Sequence, residues 1–302
     1  MGSESKQVPE MKNPPDTSET LNELLERGEI SAEAYAEYSS TADAALSFSA
    51  GSSPNTRQAS MFDHITLGIA DLAIASTVFV AVLGQLEIEQ TTSTPSLSVW
   101  GNFALTPTDE EHPIARRVHV AFIAPTQAHV DRFAQAGIDA GLADDGPAGP
   151  RPQYADDYYA AFLKDPAGNS FEAVHRNGQR PRGIIDHVAI RVTDVEASTA
   201  FYSTIGPAAG LTIRRQAPDR TSLAVGTSDG SLSLIAGEPT QNIHLAFSGD
   251  ADRVRRFHAD ATAAGYRSNG EPGERPRYHD GYYAAYVLDP DGNNIEVVNH
   301  HR

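Results

Sequence analysis

Two stretches of this chain, RPQYADDYYAAFLKDPAGNSFE at residues 151–172 and RPRYHDGYYAAYVLDPDGNNIE at 275–296, repeat one another 124 residues apart. A repeat of that length constrains the fold strongly, because the two copies must adopt the same structure. At 302 residues the chain has room for two domains, each burying its own core. Only the second copy contains a histidine, His279 against Ala155, and at one further position it has Tyr286 where the first has Phe162.

The repeat extends through everything after Met61. The strand MFDHITLGIAD is followed by the helix LAIASTVFVAVLG and weaker strands through LSVWGNFALTP. The order restarts with the strand RRVHVAFIA, the helix QAHVDRFAQAGIDAG and the strands YYAAFLKDP and NSFEAVH. The second half gives the strand IIDHVAIRVTD, the helix VEASTAFYSTIG and the strands LTIRRQAP, TSLAVGTS and SLSLIAG. It closes with NIHLAFSGD, the helix ADRVRRFHADATAAG and the strands of the repeated motif. An α+β chain is expected, with domains at 61–176 and 184–302 joined by a linker at 177–183. Residues 1–60 carry Pro and Ser clusters around the amphipathic piece SETLNELLERGEISAEAYAEY, and are expected to form a flexible acidic extension with a short helix.

Composition removes several classes of function. With a net charge of -17 and no basic stripe, neither a nucleic acid nor an anionic membrane is an expected partner. The N-terminus has no basic and apolar signal pattern, and no segment approaches the ~18 apolar residues of a membrane span, so a soluble cytoplasmic protein is expected. Cysteine is absent, which leaves His, Asp and Glu to build any metal site. Phosphate-binding, serine-nucleophile and dinucleotide motifs are absent as well.

Aligning the halves puts His64 with His187, His119 with His244 and Glu172 with Glu296, at offsets of 123, 125 and 124 residues. Strand parity separates these six from their apolar neighbours. Val188, Ile190 and Val192 share one face and leave His187 on the other; Ile243, Leu245 and Phe247 do the same for His244. His64, His119, Glu172 and Glu296 follow the same rule, so helices covering the aliphatic face would leave all six on the open face of a curved sheet. Two histidines and one carboxylate leave adjacent coordination positions free and suit Fe(II), Mn(II) or, less specifically, Zn(II).

These residues resemble the vicinal oxygen chelate superfamily, which includes glyoxalase I, fosfomycin and bleomycin resistance proteins and extradiol dioxygenases. The resemblance rests on DHVAIRVTDVEASTAFYSTIG and its twin DHITLGIADLAIASTVFVAVLG, on the VHVAF and IHLAF strands and on the DPxGNxxE endings, and it covers residues 61–302. It implies two tandem domains, each a pair of βαβββ modules forming a cup-shaped mixed sheet with helices on its outer face. It also implies a divalent metal, Fe²⁺ or Mn²⁺ ahead of Zn²⁺ or Ni²⁺. The implied ligands are His187, His244 and Glu296, and His64, His119 and Glu172. Modules in this superfamily pair consecutively or by exchange between halves or between chains, the last giving a homodimer. His64 therefore has a choice of partners.

The resemblance implies a small-molecule substrate and leaves three reactions. Glyoxalase I needs a fourth ligand, usually a carboxylate, on the fourth strand, where SLSLIAG and NFALTPT have none. Extradiol dioxygenases share the spacing of His279, Tyr286, Asp289, Pro290, Gly292 and Glu296, although Ala285 and Arg277 depart from their pattern and a further histidine ahead of the fifth strand is missing. Bleomycin-resistance-like binding proteins generally lack the triad. A dioxygenase-like oxidoreductase is thus expected ahead of a glyoxalase-like lyase or isomerase, with a ligand-binding protein third. His279 and Tyr286 are candidate catalytic groups, and Tyr278, Tyr282, Tyr154 and Tyr158 candidate walls of a substrate pocket. The second half is expected to carry the chemistry.

Overall fold

The computed structural model describes residues 62–109, 113–178, 183–226 and 230–301. The extension at 1–60 and most of the linker at 177–183 lie outside them. Four modules follow one another. The first holds β1 (His64–Ile69), α1 (Leu72–Gly84), β2 (Thr92–Thr94), β3 (Leu97–Trp100) and β4 (Phe103–Pro107), and the second β5 (Val118–Ile123), α2 (Gln127–Asp139), β6 (Ala143–Pro150), β7 (Tyr159–Lys164) and β8 (Ser170–His175). The third holds β9 (Ile185–Val192), α3 (Val195–Ala209), β10 (Leu211–Ala217), β11 (Arg220–Val225) and β12 (Ser231–Ala236). The fourth holds β13 (Ile243–Ser248), α4 (Ala251–Ala263), β14 (Ser268–Glu274), β15 (Tyr283–Leu288) and β16 (Asn294–Asn299). Among the described residues no helix is long and apolar enough to cross a membrane.

The strands form two eight-stranded mixed sheets, ordered β14-β15-β16-β13-β1-β4-β3-β2 and β10-β11-β12-β9-β5-β8-β7-β6. The first combines the outer two modules and the second the inner two, so each sheet takes strands from both halves of the chain. Of the pairings open to the sequence, the exchanged one is found, and the consecutive grouping of ligands is corrected accordingly. Strand β1 runs antiparallel to β13, with Thr66 opposite His244, and β5 antiparallel to β9, with Ala121 opposite His187. Consecutive modules still touch, through α1 against α2 and α3 against α4. Helix contacts thus join neighbours in sequence, while strand pairing joins modules across the halves.

The aliphatic strand faces drive this arrangement. Ile65, Leu67, Val118, Val120, Phe122, Val188, Ile190, Val192, Ile243, Leu245 and Phe247 are all buried in one core shared by both sheets. Each such side chain contributes about 1.5–3 kcal/mol by leaving water. Edge-to-face pairs cross the core: Phe79 meets Phe171 at 4.9 Å and Phe103 meets Phe122 at 5.1 Å between ring centroids. Helix α3 runs to Ala209, beyond the end at Gly206 suggested by the sequence. Pro207 sits in its last turn, and Gly210, at a φ of 73°, supplies the left-handed cap.

Candidate metal centres

Two local devices place the ligands. The turn between β15 and β16, Asp289-Pro-Asp-Gly-Asn293, needs Gly292 at a φ of 89°. It is held by Asp289, whose carboxylate accepts from the backbone N–H of Asp291 and of Asn293. Buried Asn293 in turn accepts from the N–H of Ile243 at 3.3 Å, fixing β16 beside β13 and Glu296 beside His244. Asn169 does the same for Glu172 and His119, accepting from Val118 N–H at 3.1 Å. The second device is the entry to β5 and β13, where Arg117 and Asn242 take left-handed φ values of 59° and 60° one residue before each strand. Such residues cost about 1–3 kcal/mol unless their surroundings enforce them. Here Arg117 Nε donates to Pro239 O at 2.9 Å and Asn242 Nδ2 to Ile114 O at 3.0 Å.

The result is two clusters of three donors. In site one, His64, His244 and Glu296 converge: the two Nε2 atoms lie 3.1 Å apart, and Glu296 Oε2 is 2.9 Å from His244 Nε2 and 3.4 Å from His64 Nε2. In site two, Glu172 Oε2 is 2.9 Å from His119 Nε2 and 3.4 Å from His187 Nε2. Each cluster offers three ligand atoms within 4.8 Å of one another. Two ring nitrogens and a carboxylate oxygen aimed at a common point are the donor set of a divalent cation, so the residues fit the implied metal. Their other atoms are held from behind, as metal ligands usually are. His64 Nδ1 donates to Asp63 and His187 Nδ1 to Asp186, both at 2.9 Å, and His244 Nδ1 sits 2.8 Å from the Asn294 side-chain amide. The hydroxyls of Tyr282 and Tyr158 donate to the second oxygens of Glu296 and Glu172, both at 2.7 Å.

Burial disfavours charge in both clusters, and mutual hydrogen bonding outweighs it. Glu296 and Glu172 are held down to about 2 by their paired histidines. His64 is raised to about 9 by Asp63 and Glu296, and His187 to about 10 by Asp186 and Glu172. A metal that takes their Nε2 atoms must therefore displace protons.

Site one opens into a cavity of about 680 Å³, whose wall includes His64, His244, Glu296, Tyr278, Tyr282 and Tyr286. Where a fourth-strand ligand would stand it presents Ala104 and Thr106. Tyr286 is only 8% exposed, its ring 6.2 Å from that of His244, and its hydroxyl has no hydrogen-bond partner. Burial, followed by the charge of Glu296, holds that hydroxyl protonated. His279 does not line the cavity; it faces His300 instead, at 2.9 Å. Tyr154 is 58% exposed at the edge of site two. Sequence reading missed His300 and Asp63. Asp63 precedes a ligand as Asp186 does, which was a usable signal, whereas His300 aligns with Arg176 and gives none.

A sequence model of the Glyoxalase/Bleomycin resistance protein/Dioxygenase superfamily matches residues 184–297. Glyoxalase I from Zea mays is similar in structure, with a TM-score of 0.57 at 18% identity over 80% of this chain and 92% of its own. A glyoxalase/bleomycin resistance protein from Albidiferax ferrireducens is 31% identical over 39% of this chain and all of its own (100%), with a TM-score of 0.36. A variant of homoprotocatechuate 2,3-dioxygenase from Brevibacterium fuscum gives a TM-score of 0.35 at 16% identity, over 84% of this chain and 74% of its own. At 18% identity the maize likeness bears on the fold alone. Among curated proteins none matches this sequence.

Proposed function

The chain belongs to the Glyoxalase/Bleomycin resistance protein/Dioxygenase superfamily, and from that premise we propose that both triads bind a divalent metal and that site one is the centre of an extradiol-dioxygenase-like oxidoreductase. The observation that carries this reading is the unpartnered, buried Tyr286 hydroxyl beside a three-donor cluster in a cavity large enough for a small aromatic substrate. Fe²⁺ or Mn²⁺ is the favoured ion, held by His64, His244 and Glu296, with His119, Glu172 and His187 holding the second.

A bound ion of this kind supplies Lewis acidity to neighbouring oxygens of a chelating substrate and, where redox-active, access to O₂. The chain's own residues do the rest. Tyr282 occupies Glu296 Oε1 and so leaves Oε2 for the ion. Tyr286 donates a hydrogen bond to a substrate oxygen that enters beside His244, a bond it makes to nothing in the protein. Leu97 and Tyr278 offer apolar surface to the body of the substrate. Arg267, Arg275 and Arg277 on the same wall favour a substrate that carries negative charge.

The test has two stages. Elemental analysis of protein purified without added metal should find up to two equivalents per chain, and retention of none would sink the metal reading. Anaerobic reconstitution with Fe(II), followed by O₂ uptake with a panel of catechols, should give substrate-dependent consumption. Turnover of aldehyde adducts without uptake would replace the oxidoreductase by a glyoxalase-like lyase or isomerase. Tight binding without turnover would point to a resistance-type ligand-binding protein.

A further inference from the structure

The edge strands β6 and β14 are rich in glycine, and in each of them two glycines lie under side chains that border a metal cluster. Across the open face of sheet one, Tyr286 stands in one row between Glu296 on β16 and Gly270 on β14. A methyl group at Gly270 would come within 2.7 Å of Cδ2 of the Tyr286 ring, closer than two carbons approach, so the ring lies against the bare backbone of β14. The guanidinium carbon of Arg275 lies 5.5 Å from the centre of the same ring. Arg275 is fixed in turn. Its Nη2 donates to Glu271 O at 2.6 Å and its Nη1 to Glu274 O at 3.2 Å, and a methyl group at Gly273 would come within 2.8 Å of Nη1. Its backbone N–H donates to Tyr282 O at 2.7 Å. One arginine thus joins the tyrosine that holds Glu296 to the tyrosine that faces the cavity.

The same construction recurs in site two around a ring with no hydroxyl. Phe162 stands between Glu172 and Gly146, where a methyl group would come within 2.8 Å of its Cδ2. Arg151 lies 5.5 Å from the ring centre, donates to Pro147 O and Pro150 O, and its backbone N–H meets Tyr158 O at 2.7 Å. The two rings come to rest alike: Tyr286 is 6.2 Å from His244 with their planes 38° apart, and Phe162 is 6.0 Å from His119 with their planes 33° apart. GEPG at 270–273 and GPAG at 146–149 therefore share a purpose that no alternation of apolar residues would reveal. A tyrosine held only by its own torsions has several staggered wells, and this clamp leaves it one.

We propose that Gly270 and Arg275 are positioning residues of site one, which aim the Tyr286 hydroxyl at a substrate oxygen beside His244. Gly146 and Arg151 keep the same aim in site two, for a hydroxyl that Phe162 lacks. At this position the two sites then differ by a single oxygen atom on a common mount. The inference rests on the reading of site one as a metal centre that takes a chelating substrate, so part of its test needs neither metal nor substrate.

That part is crystallographic, on the full chain free of metal. Gly270→Ala should push the Tyr286 ring about an ångström from β14 and leave His64, His244 and Glu296 in place; a ring that stays where it is would overturn the clamp. Phe162→Tyr should set its hydroxyl beside His119 as Tyr286 sets its own beside His244, and a different rotamer would overturn the shared aim. The other part uses 4-nitrocatechol, a coloured chelating catechol, with the Zn²⁺-loaded chain and site two emptied by Glu172→Gln. Affinity should fall about tenfold in Gly270→Ala and in Arg275→Gln, the worth of one hydrogen bond. In a Tyr286→Phe background neither change should alter it by more than about twofold. Equal losses with and without the hydroxyl would mean that the two residues serve only the fold. Should Gly270→Ala not fold, Arg275→Gln, at a half-buried position, carries both readouts. If the unsubstituted chain binds no Zn²⁺ or no catechol, the reading of site one fails, and the crystals still decide the clamp.

Discussion

Site one and site two share the three donors that could hold an ion and differ in the groups around them. In both, two histidine Nε2 atoms and one glutamate oxygen converge, a tyrosine hydroxyl occupies the second glutamate oxygen, and an aspartate holds the first histidine from behind. Both also place an arginine 5.5 Å from the ring next to the cluster, Arg275 over Tyr286 and Arg151 over Phe162. The differences begin one layer out: Tyr286 against Phe162, His300 against Arg176, His279 against Ala155, Arg277 against Gln153. At three of these positions site one has a phenol, an imidazole or a guanidinium where site two has Phe162, Ala155 or Gln153; at the fourth a histidine meets Asp63 where an arginine meets Asp186. On the proposed reading, a duplicated centre that keeps its ligands but not their outer neighbours would have one copy suited to chemistry and one suited to holding an ion.

The most direct way to break this contrast is to remove each carboxylate in turn. Glu296→Ala should abolish turnover, while Glu172→Ala should lose one equivalent of metal and keep most of the activity. Metal content and turnover measured on both variants check this, and the reverse result would give site two the chemistry. Next in size, Tyr286→Phe gives site one the residue of site two. Loss of a hydrogen bond made only to the reacting substrate should lower kcat about a hundredfold. Thermal stability should not fall, because the deleted hydroxyl has no partner in the protein. A kcat within a factor of about two of the parent would remove Tyr286 from the reaction.

Much of this was legible in the sequence, and the limits have physical causes. The six ligands were visible because strand parity is local: Ile243, Leu245 and Phe247 alternate with His244 whatever β13 pairs with. Pairing is not local. The apolar faces of β5 and β1 are alike, so nothing in them says which fits beside β9 and which beside β13. Strands β6 and β14 were missed because ADDGPAGP and SNGEPGE have no alternation. Both are edge strands with bulged register, where proline and glycine are tolerated. His279 was found by its spacing, but its place behind the cavity wall depended on its partner His300, for which the sequence offered no pattern.

The comparison sharpens with pH. His64 and His187, raised to about 9 and 10 by their carboxylates, hold protons at neutral pH that a metal must displace. Affinity should therefore rise with pH, by up to about tenfold per unit for each displaced proton, until pH 9 at site one and pH 10 at site two. Calorimetry in buffers of different ionisation enthalpy should detect proton release on binding at pH 7. For the metal-free protein the sign is opposite. A raised histidine contributes stability that is full below its unfolded value, about 6.5, and is lost as pH climbs through 9 or 10.

The smallest effect is expected where the two sites should not differ at all. Asn169 and Asn293 are both fully buried, and each anchors the turn that sets its glutamate beside a histidine. Replacing either with Ala leaves a backbone N–H of β5 or β13 without its acceptor and strands the aspartate of the same turn. The cost should be about 1–3 kcal/mol in each case, read as a lower Tm. Equal losses would mean that the framework is symmetric and that the asymmetry lies only in the layer facing substrate and solvent. A loss confined to Asn293 would mean that β16 is held less redundantly than β8, and the difference between the sites would then begin in the fold itself, before any side chain around the metal is considered.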